Sequence, residues 1–479
     1  MTHAQSEKVR LLGLDIGSTT SSALVAEARI GASSVSGRMQ LETPRTLFRS
    51  PTAFTPFDDD DIDAEALAKL LDEWLIAGHV GQQRIFAGGA IITGLAAQAR
   101  NARIIAKLIR DRMGDALIAT ADDPRLESWL AFMGGCAGLS RMHPQVQFLN
   151  LDIGGGTTNA ALGMNGEVLD TACHFIGARH LRFAPGTYRL AGISTVGMAI
   201  LRDRDIHKRC GDLLSADEVN DVIDYNIRAL EAVVRGRSEF FNSPMGKVIE
   251  QVCFNNAPPA DVVITFSGGV GELIYRIASG ESAPSTTFFG DLGIDLAQAI
   301  IASPLLSRSL PNFIPEQGGR ATLYGITLHN TEISGNTLYL PQPDLLPLVD
   351  LPILGCIRDA ADTAHMMQLL AIARMHSAGA AVQIEMPIAS DSTTQSQQIR
   401  SLGENIAKVL DESKFPSTIP LVILLPINAG KTLGQYATRW GTLPVKLMVV
   451  DEVPVRGAHF INIGRLRQQV VPISFFGIR

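Results

Sequence analysis

The chain of 479 residues is poor in the residues that would mark several common functions. Its five cysteines, Cys136, Cys173, Cys210, Cys253 and Cys356, stand far apart with no C-x-x-C pair, which removes a zinc site and a dithiol redox motif. They read as reduced packing residues. Aromatic side chains make up only 6%, with three Trp and six Tyr, too few platforms to stack single-stranded bases. No basic block occurs, and 41 Lys and Arg against 48 Asp and Glu give a formal net charge of -7, which argues against nucleic acid as a partner. No apolar run reaches the length of a bilayer, and the polar stretch Met1 to Arg10 carries no signal-peptide apolar region. The expectation is a cytoplasmic protein without a membrane partner. None of the ten histidines forms H-E-x-x-H.

What is present is a repeated chemistry. Leu11-Leu12-Gly13-Leu14-Asp15-Ile16-Gly17-Ser18-Thr19-Thr20 and Phe148-Leu149-Asn150-Leu151-Asp152-Ile153-Gly154-Gly155-Gly156-Thr157-Thr158-Asn159 are each an apolar run ending in Asp, then a glycine turn, then hydroxyls. The apolar run predicts a buried strand that delivers the carboxylate to its end, and the glycines let backbone N–H groups close around an anion. A single such turn is weak, because Asp after a strand is commonly a cap or Asx-turn residue. Two copies joined by a third strand-to-glycine junction, Ser267-Gly268-Gly269-Val270-Gly271-Glu272, point to a nucleotide held by its phosphates. Gly430-Lys431-Thr432 ends like a P-loop, but Leu425 stands where the leading glycine belongs. Asn159 likewise stands where a dinucleotide fingerprint needs its last glycine.

With 46% hydrophobic residues the chain can bury several cores, so two to four lobes are expected. Val9 to Ala28 reads as a hairpin around the first turn, and Ala160 to Phe175 as further strands about an Asn165-Gly166 turn. Asp63 starts an amphipathic helix running to about Ala77, with Asp59, Asp60 and Asp61 before it as an acidic cap or loop, a solvated helix start being favoured over a metal site. A strand from Arg84 to Ala87 leads through Ala90-Ile91-Ile92-Thr93-Gly94 to a helix from about Leu95 to Arg112. The helix Pro124 to Gly138 ends in small residues that could serve as a hinge. Thr195 to Asn256 reads as helical, and Asp261 to Phe266 as a buried strand. Pro341 to Pro352 reads as a linker, and beyond it strands and helices alternate through Val450 as in a separate α/β lobe. The division is 1–145, 146–340 and 341–479.

The repeated turns resemble those of the actin, sugar-kinase and heat-shock chaperone ATPase superfamily, over about Val9 to Leu340. The fold class implied is α/β, an actin-like ATPase (ribonuclease H-like) fold of two lobes with an additional C-terminal α/β lobe. The resemblance implies ATP as ligand and magnesium held by Asp15 and Asp152, largely through its waters. It makes Gly17, Ser18, Thr19 and Thr20 the first phosphate segment, and Gly154, Gly155, Gly156, Thr157, Thr158 and Asn159 the second. Ser267, Gly268, Gly269, Val270, Gly271 and Glu272 would be the adenosine segment. Glu127, near the start of the first interlobe helix, is a candidate for placing the attacking water; as an acidic residue in a helix's first turn it would equally complement the macrodipole.

A finer resemblance, over nearly the whole chain, is to the reactivating factors of ethanolamine ammonia-lyase, the EutA family of ethanolamine utilization. It is carried by Ser50-Pro51-Thr52-Ala53-Phe54-Thr55-Pro56, Asn101-Ala102-Arg103, Leu126-Glu127-Ser128, Asn150 to Asn159, Thr171-Ala172-Cys173, Glu332-Ile333-Ser334-Gly335-Asn336-Thr337, Gly430 to Gln435 and Phe460 to Gly464. The resemblance implies a weak magnesium-dependent ATPase acting as a chaperone: ATP would open the lyase so that damaged cobalamin leaves and intact adenosylcobalamin enters. The partners implied are the lyase and ATP or ADP, in the cytoplasm or in a bacterial microcompartment. Homodimerisation is compatible with the sequence, which does not set the oligomeric state. Two other readings stay open, a small-molecule kinase on the same lobes and a filament or scaffold protein switched by ATP.

Overall fold

The computed structural model describes residues 8–17, 19–32, 39–42, 44–58, 61–80, 85–92, 100–113, 124–335, 337–387, 389, 391–455, 457–467 and 469–478. Two sheets carry the same topology. In the first, β1 (Lys8–Ile16) pairs antiparallel with β2 (Thr20–Ala32), β2 with β3 (Met39–Leu41), and β1 lies parallel to β4 (Ile85–Ile92). In the second, β5 (Gln147–Ile153) pairs antiparallel with β6 (Thr158–Met164), β6 with β7 (Glu167–His174), and β5 lies parallel to β8 (Val263–Ser267). Apolar residues on both faces of β1 and β5 explain their central places, since a strand covered on both sides reads as a continuous apolar run. This repeated order is the actin-like, ribonuclease H-like fold that the resemblance implies.

The Asn165-Gly166 turn joins β6 to β7 with φ of 51° and 80°, the left-handed pair that a two-residue hairpin needs. The helix of the first lobe runs Ala64–Ala77, and the Asp63 carboxylate accepts from the Glu65 and Ala66 N–H groups as its cap. The next helix is Ala102–Met113; Thr93 to Ala99, where the expected start at Leu95 falls, lie outside the described residues, as do Asp59 and Asp60. From Thr195 the helices are Thr195–Asp203, Ala216–Arg235, Ser238–Phe241 and Pro244–Ile249, with 204–215 non-helical between the first two. Glu250–Val252 then forms an edge strand beside β7.

The connection between the lobes is a helix, Pro124–Ala131, continued by one π turn over Phe132–Cys136. Against it lies a second helix, Ala321–Leu328, seven of whose residues are buried. The crossing is close because it is made of glycine: a Cβ on Gly134 would strike the Ala321 carbonyl, and one on Gly325 the Leu130 carbonyl. Gly13 of β1 makes the same close approach to Thr327.

The third lobe is a seven-stranded sheet. Leu348–Ile357, Ala380–Ile384, Pro420–Leu424 and Lys446–Val450 run parallel, with helices Thr363–Ala373, Ser392–Glu412 and Gly430–Ala437 between them. The expected linker is therefore partly strand. The sequence pattern missed two further strands, Ala458–Ile463 and Val471–Ile478, which complete the sheet antiparallel. Glu332–Ser334, ahead of residue 341, pairs with the last of them. Phe476 of that strand packs against the cluster of Ile91, Leu126, Leu130 and Ile326, to which the interlobe helix contributes Leu126 and Leu130, so the third lobe touches the connection itself. Among the described residues no helix is long and apolar enough to cross a membrane.

Candidate nucleotide site

Both Asp-glycine turns close with the same hydrogen bond. The Gly17 N–H donates to the Thr20 carbonyl at 2.9 Å, and the Gly154 N–H to the Thr157 carbonyl at 2.9 Å. The hairpin registers then set Asp15 opposite Ser22 and Asp152 opposite Asn159. Equivalent carboxylates thus stand at equivalent places in two lobes and face one cleft of about 340 Å³.

Of the residues singled out in the sequence, Asp15, Gly17, Thr19, Thr20, Glu127, Asp152, Gly154, Gly155, Gly156, Thr157, Asn159, Gly268, Gly269, Val270 and Glu272 line that cleft. Three do not. The Thr158 hydroxyl turns into the lobe and donates to the Ile176 carbonyl at 2.7 Å. Gly271 is buried in the helix Gly268–Ala278, over Phe266. Ser267 is fully buried and serves Asp152 rather than a ligand. Ser18 lies outside the described residues.

The role of Ser267 is clear from its hydrogen bonds. Its hydroxyl donates to Asp152 Oδ1 at 2.6 Å and accepts from Asn150 Nδ2 at 2.8 Å, while Thr265 Oγ1 donates to Asn150 Oδ1 at 3.2 Å. An ionised carboxylate only accepts, so Ser267 donates to it and accepts from Asn150, whose Oδ1 is left to accept from Thr265; the chain runs one way and ends on the carboxylate. Asn150, Thr265 and Ser267 sit side by side because β5 and β8 are parallel and in register, Asn150 opposite Thr265 and Asp152 opposite Ser267. No sequence spacing links residues 115 apart; only the pairing of strands does.

Burial pushes the Asp152 carboxyl up to about 6, and the bonds from Ser267 and Thr322 oppose that rise. Asp15 is pushed up to about 7, by burial first and by the Asp152 charge second, with the Arg320 guanidinium opposing. Two carboxyls held away from water and against each other keep their protons to higher pH than free carboxyls do, and a cation between them opposes that rise. The charge of Glu127, in the first turn of its helix, and that of Asp152 both reach Cys173, where they add to burial in raising the thiol.

Further residues line the cleft that the sequence reading passed over: Thr52, Ala178, Arg276, Phe289, Asp291, Gly293, Gly319, Arg320 and Thr322 among them. Asp291 had a signal. Asp291-Leu292-Gly293 repeats the Asp-x-Gly pattern, and its Oδ1 accepts from the Gly293 N–H at 2.9 Å where a helix begins. Ala178, Leu273 and Phe289 supply an apolar wall beside the glycine junction at Gly268.

The residues fit magnesium on phosphate. Among the described residues no three His, Cys, Asp or Glu side chains gather as a metal cage. Magnesium does not need one, because it keeps waters and is held by one or two carboxylates plus phosphate oxygens. Asn159 Oδ1, in the cleft wall opposite Asp152 in the hairpin, is buried without a hydrogen-bond partner. An orphaned buried acceptor costs about 1–3 kcal/mol, so a water or ion there satisfies a standing need.

The family model described as ethanolamine utilisation protein EutA matches residues 7–476. Two relatives, each named ethanolamine ammonia-lyase reactivase EutA, come from Salmonella typhimurium and Escherichia coli. The first is 30% identical over 97% of both chains, and the second 29% identical over 97% of both. Among solved structures, an exopolyphosphatase from Cytophaga hutchinsonii aligns over 92% of this chain and 94% of its own at 12% identity, with a TM-score of 0.34. The match to the family model over nearly the full length, together with the 30% identity to a curated member, establishes that the chain belongs to the EutA family.

Proposed function

We propose that this chain is an ATP-dependent reactivating chaperone of coenzyme B12-dependent ethanolamine ammonia-lyase, releasing damaged cobalamin so that intact adenosylcobalamin can bind. Support for the partner comes from the relatives, whose name is that of a reactivase for this lyase. The observation that carries the ATP half is the pair of equivalent Asp-glycine turns facing one cleft from two lobes. In this reading Asp15 and Asp152 hold magnesium, the Gly17 and Gly154 N–H groups close their turns, and the N–H groups of Gly155 and Gly156 hold phosphate oxygens with the hydroxyls of Thr19, Thr20 and Thr157. Magnesium, when bound, offsets the negative charge that builds on the phosphates during transfer. Glu127, which lines the same cleft, orients a water toward the phosphate in this reading. The Gly268 junction and the wall of Leu273 and Phe289 take the adenosine.

The division into 1–145, 146–340 and 341–479, and work in the cytoplasm or a microcompartment, belong to the same proposal. A two-lobe ATPase opens a partner only if its ATP and ADP forms bind the partner's states with different affinity. The test is to incubate the purified protein with cyanocobalamin-blocked lyase, ATP, Mg²⁺ and adenosylcobalamin. Recovered deaminase activity that requires ATP supports the reading. No recovery, with equal lyase affinity in ATP, ADP and nucleotide-free conditions, removes it.

A further inference from the structure

The cleft is rich in carboxylates and poor in cations. Asp15, Glu127, Asp152, Glu272 and Asp291 line it, and a polyphosphate entering it adds negative charge. Only Arg276 and Arg320 among its described lining residues carry positive charge. Arg276 is half exposed and paired with Glu281 at 2.7 Å. Arg320 is bound differently, to uncharged groups of the opposite lobe: one Nη donates to the Ser50 carbonyl at 2.6 Å and the other to Thr52 Oγ1 at 2.7 Å.

Those two acceptors belong to a strap that braces the first phosphate turn. Ser50 and Ala23 are tied in both directions, Ser50 N–H to the Ala23 carbonyl at 2.9 Å and Ala23 N–H to Ser50 Oγ at 2.8 Å. Five residues on, Thr55 Oγ1 donates to the Gly17 carbonyl at 2.7 Å and the Thr55 N–H to the Thr19 carbonyl at 3.0 Å. A pull on the strap is therefore a pull on the turn. The other end of the link is equally firm, because Arg320 stands immediately before the buried helix Ala321–Leu328 that crosses the interlobe connection.

We propose that Arg320 is a positioning residue of the nucleotide site: its guanidinium grips the strap of the first turn and offers its remaining N–H groups to the phosphates, joining lobe closure to phosphate binding. This rests on the nucleotide reading above. A guanidinium has five N–H donors in a rigid fork, and two are used on the strap. The Asp15 and Glu272 charges already act on it from inside the cleft, so it is within electrostatic reach of whatever lies beside them. An ammonium has the charge but no fork. Charge and grip can thus be separated by substitution.

The experiment uses the full chain with isothermal titration of Mg-ATP and small-angle scattering with and without it. The wild type is expected to bind and to contract. Arg320→Lys should bind within about threefold of wild type yet contract less and hydrolyse ATP at least about tenfold more slowly, because the charge stays and the bridge is lost. Arg320→Gln should also lose about tenfold or more in affinity. Thr52→Ala, which removes one acceptor and no charge, should resemble the Lys variant. If Arg320→Gln fails to fold by circular dichroism, the Lys and Thr52 variants decide. Wild-type affinity, contraction and turnover in Arg320→Lys overturn the inference while leaving the nucleotide site standing. Absence of Mg-ATP binding by the wild type overturns both.

Discussion

Asp152→Asn should make the nucleotide-free protein more stable, and only above a particular pH. Asp152 is 7% exposed and its carboxyl is raised to about 6, against an ordinary value of 3.8. An acid whose folded pKa lies above its unfolded one costs stability once both states are ionised. Below about pH 4 both states hold the proton and there is no cost; the cost grows as pH rises and is complete above about pH 6. A shift of roughly two units at about 1.4 kcal/mol each sets a ceiling near 3 kcal/mol. Asparagine keeps the shape and an oxygen to accept from Ser267, so the relay survives while the charge goes. Part of the gain is lost because the amide N–H₂ brings two donors to be satisfied, which leaves an expected gain on the order of 1 kcal/mol, or about 2–4 °C in the melting of the second lobe. The assay is thermal unfolding followed by fluorescence in EDTA from pH 5 to pH 8. The variant should equal the wild type near pH 5 and exceed it at pH 8. A variant less stable at pH 8, or a difference that does not change with pH, would refute the reasoning.

Three further outcomes follow from the same site. Asp15→Asn and Asp152→Asn should each abolish ATP hydrolysis with circular dichroism unchanged, since a shared ion held by two carboxylates does not survive loss of either; turnover at the parent rate in either variant counts against the assignment. Ser267→Ala removes a bond that lowers the Asp152 pKa and leaves the Asn150 N–H₂ without its acceptor. It should cost about 1–3 kcal/mol in urea unfolding and shift the acid limb of the ATPase profile to higher pH. At the interlobe crossing, a Cβ on Gly135 would sit 3.1 Å from the Ala321 Cβ, whereas Gly134 and Gly325 face backbone carbonyls. Gly135→Val should therefore fold and uncouple hydrolysis from lyase reactivation, and Gly325→Val should fail to give soluble protein; equal behaviour of the two would show that the crossing is not the constraint.

Local chemistry was legible where a residue's meaning lies within a few positions of it. An apolar run, an Asp and glycines specify strand, carboxylate and turn without reference to the rest of the chain, and both turns form with the same hydrogen bond. The Asn165-Gly166 hairpin and the strand-helix alternation of the third lobe are of this kind, since period and turn residues are properties of the segment itself. The family could also be read from the sequence, because its motifs are short and local. What tertiary structure decided is which distant residues meet. Parallel register brought Asn150, Thr265 and Ser267 to Asp152 and turned Ser267 from a ligand contact into an orienting donor. Lobe packing set Arg320 against Ser50 and Thr52, 270 and 268 residues away, and drew the final strands and Glu332–Ser334 into one sheet. The raised pKa values of Asp15 and Asp152 arise the same way, because desolvation and the field of a second carboxylate depend on position in space, and a sequence carries no distance between its lobes.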